Sequence, residues 1–183
     1  MYFRPGLASA LWMSLAVLLL SQGPLAASGR DGGRGVSVGG IQSPKGVGFC
    51  ADFGHGPEAF SSLALTADLI DILAGTASTP GVKLTYHHNL VVKAWDGDKY
   101  TLYAGPGVTA GRVRDLRNHL GLMAGLSGDA GLRVQCLHSI AVSLEWQADF
   151  ALQFKNRYKP DLSLYRAGFS RSYYPYLRIQ YCF

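Results

Sequence analysis

Few residues in this chain are equipped for chemistry, and they are scattered. His138 and Ser139 adjoin one another, a potential base beside a hydroxyl. His87 has Thr85 and Asn89 two positions to either side, so all three share a face if the segment is extended. His119 follows Asp115 in an arginine-rich stretch. Acyl transfer needs a nucleophile, a base within hydrogen-bond reach and a group that orients the base, and no spacing here supplies all three. Cys50, Cys136 and Cys182 are odd in number and their spacing matches no metal motif. The sequence therefore predicts no catalytic residue, no metal ligand set and no cofactor.

What the sequence does contain is alternation. In "VKLTYHHNLVVKAW", Val82, Leu84, Tyr86, Leu90, Val92 and Ala94 share one face, and Lys83, Thr85, His87, Asn89, Lys93 and Trp95 the other. "YTLYAGPGVTAGR" sets Tyr100, Leu102, Ala104, Val108 and Ala110 against Thr101, Tyr103, Gly105, Gly107 and Thr109. From Leu120 to Cys136 the even positions are apolar or small, while the odd ones include Ser127, Asp129, Arg133 and Gln135. Ile140, Val142, Leu144, Trp146, Ala148, Phe150, Leu152 and Phe154 oppose Ser143, Glu145, Gln147, Asp149 and Gln153. Period two over such lengths specifies strands with one apolar and one polar face.

The pattern predicts eight strands, at about 33–41, 45–54, 59–71, 81–95, 99–111, 119–136, 140–154 and 170–183. Tight turns ("GHGPE", "DGD", "LHS") follow the second, fourth and sixth. Longer loops follow the third, fifth and seventh, and only the connection near "QSPK" is short where a long one belongs. In the sixth turn, Leu137-His138-Ser139, the expected register sets Cys136 opposite Ile140 and Arg133 diagonal to Glu145.

Composition agrees with one exported all-β domain. The chain has 183 residues, 48% apolar and only 16% charged, with 23 glycines and a net charge of +5. Low charge and abundant aromatics exclude a disordered chain. "MYFRPGLASALWMSLAVLLLSQGPLAAS" carries a basic residue, a short apolar run and a small-residue exit, the marks of a secretory signal peptide over 1–27, leaving 28–183 as the mature domain. Beyond it no apolar run reaches the length of a spanning helix.

Charge falls on one face. Asp68, Lys83, Lys93, Asp129, Arg133, Glu145, Asp149 and Arg178 all lie on polar faces, as does Asp52. Mixed signs with Gly, Ser and Thr suit the interior of a narrow barrel, where charges must pair. An eight-stranded barrel is just wide enough for side chains to fill, so a salt-bridged plug is expected rather than an open pore. Alternation alone leaves open whether the apolar face is buried, as in a soluble lipocalin-like ligand-binding barrel, or turned to lipid.

The tail "YYPYLRIQYCF" alternates Leu177, Ile179, Tyr181 and Phe183 to the last residue. It resembles the C-terminal insertion signal of bacterial outer-membrane barrels. The long hairpin "GDAGLRVQCLHSIAVSLEWQADF" and the glycine-rich "YAGPGVTAG" are similar to strands of the small eight-stranded OmpX and OmpA membrane-domain type. This resemblance implies an antiparallel up-and-down transmembrane β-barrel in the outer membrane of a Gram-negative bacterium. It also implies assembly by the barrel insertion machinery, with lipid and lipopolysaccharide as surroundings. His88 mid-strand on the lipid face, Pro106 within a strand and Cys182 beside the terminal Phe depart from the pattern. A monomeric, non-enzymatic, structural or surface-interacting protein with no nucleic-acid partner is expected. Arg112, Arg114, Arg117, Arg157 and Lys159 in the long loops are the candidate lipopolysaccharide contacts. A lipid-modifying barrel enzyme is the alternative within the same family, and the soluble barrel is the alternative outside it.

Overall fold

The computed structural model describes residues 35–156 and 160–183. The expected signal peptide, Arg157 and Lys159 lie outside the described residues.

Alternating segments become strands: β1 Val36–Gln42, β2 Gly46–Gly54, β3 Ala59–Asp68, β4 Gly81–Trp95, β5 Tyr100–Arg114, β6 Leu120–Leu137, β7 Ile140–Asn156, β8 Pro160–Leu164 and β9 Tyr176–Cys182. Two short helices interrupt the long connections, α1 Ile70–Leu73 and α2 Arg166–Arg171. Each strand from β1 to β7 pairs antiparallel with the next, β9 pairs with both β7 and β1, and the sheet closes. The result is a closed eight-stranded antiparallel barrel with one extra strand, β8, on the far end of β7.

The start of β1 and the C-terminus, together with turns 55–58, 96–99 and 138–139, lie at one end. Asp96, Gly97 and Asp98 all have positive φ, the backbone twist that a tight hairpin demands and that Gly and Asp supply at little strain. The connections containing α1 and α2 lie at the other end, with the short β1–β2 turn, where Ser43 Oγ accepts from Gly46 N at 2.9 Å.

Three details correct the sequence reading. The last strand begins at Tyr176 and not near residue 170, because the chain before Pro175 forms α2 and a turn. The segment expected as an irregular loop contains β8, which pairs Leu162 with Phe154 and Leu164 with Leu152. The sixth turn is the two residues His138-Ser139, with Leu137 opposite Ile140, and the register shift between Gln135 and Leu137 leaves Cys136 unpaired.

The polarity of this barrel is inverted relative to a soluble one. Phe49 is 77% exposed, Leu126 64% and Phe150 57%, while Arg178 is 1% exposed and Glu145 fully buried. His88 lies on the outer wall with its ring 5.7 Å from that of His55. The far end of the lumen closes on a small apolar cluster of Val113, Met123, Ala151, Tyr165 and Ala167. Tyr165 N donates to Ala151 O at 2.8 Å, so the chain entering α2 caps the barrel instead of standing clear of it.

Candidate functional site: the charged lumen

Inward-facing residues follow from register. Strand β9 contributes Tyr176, Arg178 and Gln180, and β7 pairs Ser143 with Arg178 and Glu145 with Tyr176. Arg178 is the centre. Its Nη2 lies 2.9 Å from Glu145 Oε2, and its Nη1 lies 3.2 Å from Asp52 Oδ1 and 2.6 Å from Ser62 Oγ. Tyr103 Oη donates to Glu145 at 3.0 Å. Gln180 donates to Asp52 at 2.9 Å. Two carboxylates and a hydroxyl therefore meet both terminal nitrogens of one buried guanidinium, while its Nε has no partner; countercharge of this kind is the condition under which a charge can be kept out of water.

Arg133 lies towards the short-turn end. Its Nη1 is 3.5 Å from Asp52 Oδ2 and its Nη2 donates to Ser37 Oγ at 3.3 Å. Arg133 and Glu145 are diagonal as expected, since Arg133 is opposite Ser143 and Gly131 opposite Glu145. They do not pair: Arg133 turns to Asp52 and Glu145 to Arg178. Towards the long-loop end, Lys83 Nζ meets Asp149 Oδ2 at 2.9 Å and Tyr176 Oη at 3.2 Å. Asp68 joins Lys83, Asp149 and Tyr176 around a small cavity of about 20 Å³.

Between these layers, β4 reaches across β5 to β6. His87 Nε2 is hydrogen-bonded to Ser127 Oγ. Asn89 donates to Asp129 Oδ2 at 3.2 Å, and His87 Nδ1 lies 3.4 Å from the same oxygen. The crossing depends on Gly105 and Gly107 of β5. A Cβ at Gly105 would meet the Asn89 side chain, and one at Gly107 the His87 ring.

Lys93 was expected in the lumen and is outside. A β-bulge between Val91 and Lys93 shifts the register, pairs Lys93 with outward Leu102, and carries Trp95 to the outer wall, where it stacks on Tyr100 at 6.0 Å. Lys93 Nζ rests 5.9 Å from the Trp95 ring. The network also takes in Asp52 and the uncharged Tyr103, Asn89, Ser127, Ser62, Tyr176 and Gln180, which the charge pattern of the sequence does not mark. Their inward parity was the signal that could have found them.

At the long-loop end, Arg114 is buried, donating to Asn118 O at 2.9 Å and Thr79 O at 3.0 Å, so it ties two loops together. Arg112 and Arg117 are exposed. Asp115 organises the β5–β6 loop: Lys155 Nζ lies 2.6 Å away, and the amides of Arg117 and His119 each donate to it at 2.8 Å. Partial burial opposes ionisation of Asp115, but these donors outweigh it and hold its carboxyl below the usual carboxylate range. His119 Nδ1 is 3.7 Å from Asp115 Oδ2, with no nucleophile in the arrangement. His138 is exposed in its turn at the opposite end.

No protein-family model matches this chain, and no curated protein matches it.

Proposed function

We propose that this protein is an integral outer-membrane β-barrel without catalytic activity, whose role is structural and surface-interacting. The single observation that carries this reading is the inverted polarity: the outer wall is apolar while Asp52, Asp129, Glu145 and Arg178 are buried within. A lipocalin-like barrel needs an apolar hollow interior for its ligand. This interior is polar, bridged across by the Arg178 ion pairs, and its far end is capped by Tyr165 and Ala167. Outer-membrane barrels place apolar residues outward and polar residues inward, and the resemblance of the tail to the family's insertion signal points the same way. Phe183 is exposed, edge-on to Tyr181 at 5.0 Å, and its amide donates to Val36 O.

The short turns, the start of β1 and the end of β9 then face the periplasm, as is the habit of such barrels. The long-loop end faces outward, with Arg112 and Arg117 exposed to an anionic lipopolysaccharide leaflet. Arg suits phosphate through bidentate geometry. Replacing Arg112 and Arg117 by Gln should weaken binding of purified lipopolysaccharide to the folded barrel and flatten its decline with salt, because exposed charge is screened beyond about 8 Å at physiological ionic strength. Deleting Phe183 should lower outer-membrane levels and leave precursor in the periplasm. Unchanged membrane levels in the Phe183 deletion, with lipopolysaccharide affinity indifferent to both arginines, would overturn the reading.

A further inference from the structure

Among the described lumen carboxylates that are buried, Asp129 is distinct. Asp149 has Lys83, Asp52 has Arg133 and Arg178, and Glu145 has Arg178. Asp129 has no Lys or Arg within ion-pair distance, only His87 and Asn89. Its side chain is fully buried, and its Oδ1 has no hydrogen-bond partner. The Oδ1 of Asn89, also fully buried, has none either. A buried carboxylate without a countercharge is strongly disfavoured, and either a proton or a bound cation relieves it.

His87, Asp129 and Glu145 each offer a donor atom, all within 4.8 Å of one another. In a tetrahedral shell with bonds of about 2.1 Å, neighbouring donors lie about 3.4 Å apart. His87 Nδ1 and Asp129 Oδ2 are 3.4 Å apart. The contact of His87 Nε2 with Ser127 fixes the ring and leaves Nδ1 turned to the carboxylate, the outer-shell arrangement that orients metal-ligating histidines. Glu145 already receives Arg178 and Tyr103, but an ionised carboxylate has about four lone-pair positions and can face a further cation.

We propose that the lumen binds one divalent first-row transition ion, of the Zn²⁺ class, through His87 Nδ1, Asp129 and Glu145, with the unpartnered Asn89 Oδ1 as the fourth donor. One imidazole with oxygen donors suits such an ion and not a thiophilic one. An open vestibule of about 1190 Å³ at the short-turn end reaches Asp52 and Phe60. Phe60 packs edge-on against Tyr103 at 5.0 Å, and Tyr103 touches Glu145, so the vestibule floor is one side-chain layer from the site. The ion stitches β4, β6 and β7 together through the lumen and needs no chemistry from the chain.

The test uses the untagged barrel, refolded in detergent, stripped with chelator, and titrated with Zn²⁺ by calorimetry and with Co²⁺ by visible absorption. One equivalent should bind, with the intense Co²⁺ bands of a low-coordinate nitrogen- and oxygen-ligated site, and the unfolding midpoint should rise. Asp129→Asn and His87→Ala should each weaken binding at least about 100-fold, and Ser127→Ala by about 10–100-fold. Asp96→Asn, in an exposed turn, should bind as the unaltered protein does. Absence of a bound equivalent in the unaltered barrel would overturn the proposal even if the variants fail to fold. So would affinity unchanged in both Asp129→Asn and His87→Ala.

Discussion

At the scale of residues, the barrel is organised around Arg178. Its guanidinium holds Glu145, Asp52 and Ser62 at once, and removing it strands the buried Glu145 and leaves Asp52 with Arg133 alone. Arg178→Leu should destabilise the folded barrel by about 3–5 kcal/mol, and the Arg178→Leu, Glu145→Gln double variant by less than the sum of the singles. Urea unfolding in lipid vesicles measures both. Additive losses would mean the two groups do not share an ion pair. Asp115 gives a prediction with pH. Its folded-state carboxyl is depressed, so it favours the folded loop above the ordinary carboxylate range and loses that contribution as pH falls through the depressed value. Protection factors at the Arg117 and His119 amides, taken against the intrinsic exchange rate at each pH, should therefore fall on acidification, and in Asp115→Asn be low already at neutral pH. Protection factors unchanged from neutral to acidic pH in the unaltered protein would sink this reading. The inward partners of these charges were readable as parity, but their choice of partner was not. Arg133 and Glu145 are close enough to pair, and the competing Asp52 and Arg178, distant in sequence, decide otherwise.

Elements were legible in proportion to their alternation. Strands β4, β6 and β7 carry long unbroken period-two runs and fall where the sequence placed them to within a residue or two. Local departures from period two are where the reading failed. The bulge after Val91 reverses the parity of Lys93 and Trp95, and the one before Leu137 expels Cys136. A bulge inserts a single residue and leaves no compositional mark. The helix Arg166–Arg171 is short and without an amphipathic period, so only its tertiary contacts define it. Those contacts give it a role: Tyr165 and Ala167 seal the lumen against Val113, Met123 and Ala151. Ala167→Asp would bury a charge in this cluster and should cost about 3 kcal/mol or more. Its loss should also raise proteolytic cleavage in the 157–175 connection while the β1–β6 core stays protected. Equal stability of Ala167→Asp would show that the cap does not pack.

For the whole molecule, the proposed role turns on whether the apolar outer wall meets lipid. Apart from the bulges after Val91 and before Leu137, antiparallel closure pairs the backbone of each barrel strand with its neighbours, the condition for crossing hydrocarbon with strands. Charge is withdrawn to the lumen, leaving Val108, Leu122, Leu126, Trp146, Phe150 and Leu152 to face outward. Trp146 lies midway along β7, opposite Ala130, and is 44% exposed on that wall. It reports the claim most directly. In mature barrel carrying Trp95→Phe, refolded into vesicles, lipids brominated on their acyl chains should strongly quench Trp146 fluorescence, while aqueous iodide should leave it nearly untouched. Iodide quenching with no effect of brominated lipid would place this wall in water and contradict the account.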